Sequence, residues 1–263
     1  PEAPVPIAKF DSEVYELGGA ANVAANVAAL GGNVKLFGYT GEDKQRDLLI
    51  NKLHEKNIDL NLYPDLKETI QKNRIIVNKQ QQLVRIDRES IAKASQETEK
   101  NLVKSICDYH PDIIIASDYA KGCLTKNMFD LFRSSGIINK VIVDPKPKNK
   151  LNYKDVYLIT PNLKEGKEMS GLEEVNEIGF RLQSELNSRI LLTRGKDGMT
   201  LFEGGKFYHL PTQAKTVYNV VGAGDTVIAT LAMGISSGYS LEHSAFLANH
   251  AAGIVIGKEG TAT

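Results

Sequence analysis

Val220-Val221-Gly222-Ala223-Gly224-Asp225-Thr226-Val227-Ile228-Ala229-Thr230-Leu231-Ala232 is the stretch on which the reading of this chain turns. Two glycines flank an alanine, an aspartate follows, and helix-forming apolar residues begin at once. Gly222 and Gly224 allow a tight turn and the close approach of another group. The spacing predicts Asp225 in the first turn of a helix. The first N–H groups of a helix have no internal partner, and the helix dipole favours negative charge in front of them. Two readings of Asp225 follow. It is an ordinary helix cap, or it is a general base that takes a proton from a hydroxyl while an incoming anion is held beside it.

Upstream of that stretch, four apolar runs end in polar residues. Ile113-Ile114-Ile115-Ala116 precedes Ser117-Asp118, and Val141-Ile142-Val143 precedes Asp144. Val156–Ile159 precedes Thr160-Pro161-Asn162, and Ile190-Leu191-Leu192 precedes Thr193-Arg194-Gly195. Helical stretches lie between them, the first over Ser95–Asp108. Continuous apolar strands alternating with helices predict a parallel sheet covered on both faces. In such sheets ligands bind at the carboxyl ends of the strands, so the four polar clusters are expected along one edge.

Near the other end lies Gly18-Gly19-Ala20-Ala21-Asn22-Val23-Ala24-Ala25-Asn26-Val27-Ala28-Ala29-Leu30-Gly31. It predicts a helix closed by Gly31-Gly32. Asn22 and Asn26, four apart, share a face of it. An Asn amide both donates and accepts, which suits sugar hydroxyls; Asn26 is read instead as a packing residue. A strand over Val34–Tyr39 and a helix over Lys44–His54 follow. Residues 3–10, with Pro4 and Pro6, read as an edge strand. Arg74–Val77 and Leu83–Ile86 read as a hairpin, as do Thr200–Phe202 and Phe207–Leu210. The last helix is expected over Leu241–Gly257.

The 263 residues are 42% hydrophobic and 24% charged with zero net charge. That is ordinary for a globular chain and gives no electrostatic reason for a nucleic-acid or membrane partner. Cys107 and Cys123 make no disulfide framework and fit a reducing cytoplasm. No apolar run is long enough to span a bilayer, and no signal-peptide pattern is visible. The five histidines lack zinc-site spacing and read as structural. There is no G-x-x-x-x-G-K-[ST] loop, no H-R-D loop and no G-x-G-x-x-G after a first strand, which excludes P-loop enzymes, protein kinases and dinucleotide oxidoreductases.

The two glycine-rich stretches together resemble the paired signatures of the ribokinase (PfkB-type) sugar kinases. Pro1-Glu2-Ala3-Pro4-Val5-Pro6, Gln81–Asp87, Ser117-Asp118-Tyr119-Ala120-Lys121-Gly122, Asp144-Pro145-Lys146 and Thr160–Glu165 are similar to the heptose-7-phosphate kinase branch, which includes the kinase half of bifunctional ADP-heptose synthases. The resemblance covers nearly the whole chain. It implies one domain over residues 1–263, a three-layer α/β/α sandwich with a mainly parallel central sheet, and a small β-sheet lid built from about 3–17 and 71–87. It also implies trimming at both ends, because the family begins with a further buried strand carrying a sugar-binding Asp.

The resemblance further implies site roles. Asp225 is the catalytic base, and Gly222, Ala223 and Gly224 offer N–H groups to the transferring phosphoryl. Gly18, Gly19, Asn22, Arg85, Lys121, Asp144 and Lys146 hold the sugar phosphate, with Arg74 a further candidate. Asn162, Leu163, Lys164 and Glu165 meet ATP, and Asn162 and Glu165 position Mg²⁺ mostly through water; the alternative for that pair is a capped helix start. Thr193, Gly195 and Gly198 form a nucleotide loop, and Asn249 lies near the adenine. The lid is expected to join a homodimer. Two departures stand out. Asn219 and Val221 replace an Asp and a Thr of a monovalent-cation site, which leaves that cation in doubt, and Pro147 follows Lys146 where close relatives have Gly. Rival readings are a kinase of the same family for another sugar, and a sugar-binding regulator without catalysis.

Overall fold

The computed structural model describes residues 9–77, 81–91, 94–212 and 222–255. Helix α1 (Ala20–Ala29) opens the fold, followed by β1 (Lys35–Tyr39), α2 (Lys44–His54) and β2 (Asp59–Tyr63), which pairs in parallel with β1. Strands β3 (Gln71–Val77) and β4 (Gln81–Arg88) form a separate antiparallel pair. Then come α3 (Gln96–Tyr109), β5 (Ile114–Ser117), α4 (Lys126–Ser134), β6 (Val141–Asp144), β7 (Leu158–Ile159), α5 (Leu163–Ser170), α6 (Val175–Leu186) and β8 (Arg189–Thr193). The hairpin β9 (Met199–Glu203) and β10 (Lys206–Leu210) precedes α7 (Ala223–Ser236) and α8 (Leu241–Val255).

The main sheet has the order β10-β9-β8-β7-β6-β5. Its β5 to β8 run parallel, and β9 pairs antiparallel with both β8 and β10. Alternate residues of each strand enter opposite layers, as a doubly covered sheet requires. Val141, Val143, Ile190 and Leu192 pack with Phe129, Phe132, Ile178 and Leu182 on one side. Ile142, Leu158 and Leu191 pack with Val23, Val227, Ile228 and Ala245 on the other. This is the expected three-layer sandwich, and it turns the carboxyl ends of β5 to β8 to one edge.

Three expectations need correction or limits. Residues 9–17 carry no strand and are mostly exposed; Asp11, Glu13 and Glu16 give that segment little strand propensity. The rest of the expected opening strand, together with Asn219 and Val221, lies outside the described residues. Strand β2 was not foreseen, because Asp59-Leu60-Asn61-Leu62-Tyr63 begins on residues depleted in strands and is held by pairing with β1. Finally, β1 and β5 do not pair with each other. Both line one cavity of about 500 Å³, with α1 and α7 on one side and α3 and α4 on the other.

The β3–β4 hairpin has two unlike faces. Lys72 lies opposite Asp87 and Arg74 opposite Arg85, so these share one face; Asn73 lies opposite Ile86 and Ile75 opposite Val84, giving the other. Ile75, Val84 and Ile86 are all exposed.

Candidate active site

Helices α1 and α7 bring the two glycine-rich stretches together at the sheet edge. Gly19 precedes α1 with φ +56°, which favours glycine, and a Cβ there would press on the Tyr119 ring at 3.3 Å. Gly222 is the cap residue of α7 and Asp225 lies within its first turn. Asp225 is therefore the third helical residue rather than the cap, a place where the helix dipole favours a carboxylate. Its Oδ2 accepts from Asn22 Nδ2 at 2.6 Å. Burial raises its pKa above the usual carboxylate range, and the Asn22 hydrogen bond opposes that rise. The N–H groups of Ala223, Gly224 and Asp225 lie in the turn where a helix supplies no internal acceptor.

Asp144, at the end of β6, has its pKa pushed up to about 7 by burial and by Glu165, with Lys146 opposing and Asp225 and Asp118 adding to the rise. Lys146 Nζ lies 2.5 Å from Glu165 Oε1. Burial lowers the Lys146 pKa, but the bond to Glu165 and the nearby Asp144 and Asp118 raise it on balance. Asn162 and Glu165 form a full capping box: Glu165 N donates to Asn162 Oδ1 at 2.9 Å and Asn162 N donates to Glu165 Oε2 at 3.1 Å. The capped-helix reading of this pair is thus realised in the fold. No group of three His, Cys, Asp or Glu side chains fit to hold a metal occurs among the described residues. A magnesium ion at Asn162 and Glu165 would draw most ligands from phosphate and water, which is its habit.

The remaining predicted residues take varied places. Leu163 packs against the core while Lys164 is exposed in the first turn of α5. Thr193 N donates to Pro161 O at 2.9 Å, tying the end of β8 to the start of α5. Gly195 begins a short 3-10 turn that ends at Gly198, where φ is +77° and a Cβ would meet Leu210 O at 2.0 Å. Asn249 is buried on α8 and donates to Pro211 O at 2.7 Å, so its amide anchors the chain after β10. Gly18 is exposed before α1. Lys121 pairs with Glu89 beyond β4, and Arg85 pairs with Asp87 at 2.9 Å. Those two expected phosphate ligands thus have carboxylate partners in this state.

Four residues with no role expected from the sequence also belong to this region. Tyr119 sits against Gly19, with Lys72 and Lys146 ammoniums 5.8 Å and 6.0 Å from its ring centre. Its hydroxyl pKa is raised by burial and by the charge of Asp225. Lys72 brings the basic face of the β3–β4 hairpin to this ring; its two-residue spacing from Arg74 was the available signal. Asp118, 2% exposed, accepts from Ala120 N at 2.6 Å, Asn149 Nδ2 at 2.7 Å and the Tyr153 hydroxyl at 2.5 Å. That hydroxyl also accepts from Lys146 N at 3.0 Å, so Asp118 and Tyr153 hold the Lys146 loop.

A carboxylate at the donor-rich end of a helix is equipped to take a proton from an oxygen while an anion is held in front of it. Phosphoryl transfer to a hydroxyl needs both at once. Comparison with known proteins identifies one family of such enzymes. The profile of the pfkB family carbohydrate kinase matches residues 2–263, and the chain belongs to that family. It is 41% identical over 274 aligned residues to the bifunctional protein HldE of Pectobacterium atrosepticum, covering 100% of this chain and 56% of that protein. It is 40% identical over 276 aligned residues to HldE of Vibrio cholerae, with the same coverage. The chain thus spans about half the length of the curated relatives it matches. Among solved structures, phosphofructokinase-2 of Escherichia coli superposes with a TM-score of 0.83 at 17% identity, covering 98% of this chain and 87% of that one. Ribokinase of Thermotoga maritima gives 0.78 at 22% identity, covering 98% and 86%. Both share the fold.

Proposed function

We propose that the chain transfers the γ-phosphoryl group of ATP to the anomeric hydroxyl of D-glycero-D-manno-heptose 7-phosphate, giving the 1,7-bisphosphate used for ADP-heptose and lipopolysaccharide core synthesis. The observation that carries this is the position of Asp225 in the first turn of α7, in a chain about 40% identical along its whole length to HldE proteins. Asp225 takes the hydroxyl proton. The sugar oxygen forms its bond to phosphorus as the bond from phosphorus to the ADP oxygen breaks. The N–H groups of Gly222, Ala223 and Gly224 and the α7 dipole face the growing negative charge. Mg²⁺, when bound, neutralises phosphate charge; Asn162 and Glu165 would hold it largely through water, and Asp144 would meet the sugar. Lys146, released from Glu165, would balance the incoming phosphates, and Lys72, Arg74, Arg85 and Lys121 would face the sugar phosphate. Thr193, Gly195 and Gly198 would border the nucleotide.

We assign the reaction to the cytoplasm, where ATP is supplied; no helix among the described residues is long and apolar enough to cross a membrane. The exposed Ile75, Val84 and Ile86 face is the proposed homodimer surface, since a two-stranded sheet does not bury both faces alone. Pro147, which starts a 3-10 turn directly after Lys146, favours a second reading in which the acceptor is a different sugar phosphate. A coupled ADP-release assay with heptose 7-phosphate, fructose 6-phosphate and unphosphorylated sugars tests both. Turnover restricted to heptose 7-phosphate is expected. Preference for another sugar phosphate selects the second reading, and ADP release with none of them, at any pH, refutes both.

A further inference from the structure

Asn22 was expected to grip the sugar, and one N–H of its amide is given to the catalytic candidate itself. Its Nδ2 donates to Asp225 Oδ2 at 2.6 Å, across 203 positions of chain. The same residue is held from behind. Asn26 Nδ2 donates to the backbone carbonyl of Asn22 at 2.9 Å, and Asn26 Oδ1 accepts from Thr226 Oγ1 at 3.0 Å. Thr226 is the residue after Asp225. The four residues therefore close a ring between the starts of α1 and α7: Asp225 to Asn22, Asn22 to Asn26, Asn26 to Thr226, and back along the chain. Asn22, Asn26 and Thr226 are all buried. The links tie the backbone of α1 at Asn22 to the start of α7, and each would leave an unsatisfied polar group if broken.

We propose that Asn22 is the positioning residue of the base, fixing which carboxylate oxygen of Asp225 meets the acceptor hydroxyl, and that Asn26 and Thr226 hold the start of α1 against α7, which sets where Asn22 stands. This rests on Asp225 being the base. With Oδ2 held by Asn22, Oδ1 is the oxygen without a hydrogen bond among the described residues, and it is the one left to receive the proton. The surroundings make the hold consequential. Asp144 from β6 and Tyr119 from the segment after β5 are the titratable groups whose interactions reach Asp225. Helix α1 brings no charged side chain. On α8, His243 bonds with Ser240 and His250 with the Phe246 carbonyl, and Glu242 sits in its exposed first turn. Asn22 is thus the side-chain donor that opposes the effect of burial on this carboxylate.

The test is the pH profile of kcat for Asn22→Leu and for the isosteric Asn22→Asp, with ATP and heptose 7-phosphate and with folding checked by circular dichroism. Asn22→Leu is expected to lower kcat about 10- to 100-fold, the equivalent of one hydrogen bond to a charged group. Its acid limb should move to higher pH, because the opposing donor is gone. Asn22→Asp should move the limb further, through like charge; that variant keeps the shape if the leucine variant folds poorly. A rise in sugar KM with kcat and the acid limb unchanged would make Asn22 a sugar ligand only and overturn the proposal. In an Asp225→Asn background, Asn22→Leu should cost less than threefold more; a full second loss overturns it as well. If Asp225→Asn alone keeps activity within threefold of wild type, the base assignment itself fails, a result readable without any Asn22 variant.

Discussion

Tyr153→Phe removes one oxygen from the support beneath the active site. The Tyr153 hydroxyl donates to the buried Asp118 carboxylate at 2.5 Å and accepts from Lys146 N at 3.0 Å. The ring itself is fully buried and stacks edge-on against Phe129 with centroids 5.5 Å apart, and phenylalanine keeps that packing. The loss is therefore polar alone. Asp118 keeps its bonds from Asn149 and Ala120, so it is weakened rather than orphaned. One hydrogen bond to a buried charge is worth about 1.5–3 kcal/mol. For a chain of this size each kcal/mol moves Tm by about 2–4 °C, so a drop of roughly 3–12 °C is expected. Differential scanning calorimetry measures it. Because Lys146 N loses its acceptor too, KM for the sugar phosphate should rise while nucleotide affinity stays within twofold. A Tm within 1 °C of wild type would refute the claim that this hydroxyl holds the loop.

Three further outcomes are expected. The Asp144 carboxyl has its pKa raised from 3.8 to about 7, so the folded protein holds a proton there that the unfolded chain has lost; stability falls as pH rises across that window. Asp144→Asn should accordingly raise Tm more at pH 8 than at pH 4, and an equal shift at both would count against burial as the cause of the raised pKa. Ile86→Lys on the apolar hairpin face should turn the proposed dimer into monomer by analytical ultracentrifugation, and a wild-type protein that is already monomeric and fully active rejects that interface. Activity should depend little on potassium in a titration at constant ionic strength, because Asn219 brings no charge to the cation; tenfold activation would show that a strong site persists.

Much of this architecture was readable because the signals were redundant. The runs at Ile113–Ala116, Val141–Val143 and Ile190–Leu192 are continuous, apolar and short, and each ends in a polar cluster, so strand type, sheet class and ligand edge followed together. The Lys44–His54 helix was bounded by a real cap, Asp43, whose side chain accepts from Arg46 N. What the sequence hid were facts of pairing. Nothing in Asp59–Tyr63 announces a strand until β1 lies beside it. Asn22 and Asn26 were visible as one helix face, but the partner of that face lay two hundred positions away. Lys121 and Arg85 were legible as cations, whereas their engagement with Glu89 and Asp87 depends on a loop and a hairpin that local propensity does not position.

The gap between β1 and β5 bears on what else this fold can pair with. Each strand turns an edge without a ladder partner, among the described residues, toward the same apolar cavity. An unpaired edge is a template for any extended backbone that reaches it, and here two templates face each other across a greasy slot. One extended segment laid in that slot could pair with both edges at once and join the β1–β2 pair to the main sheet.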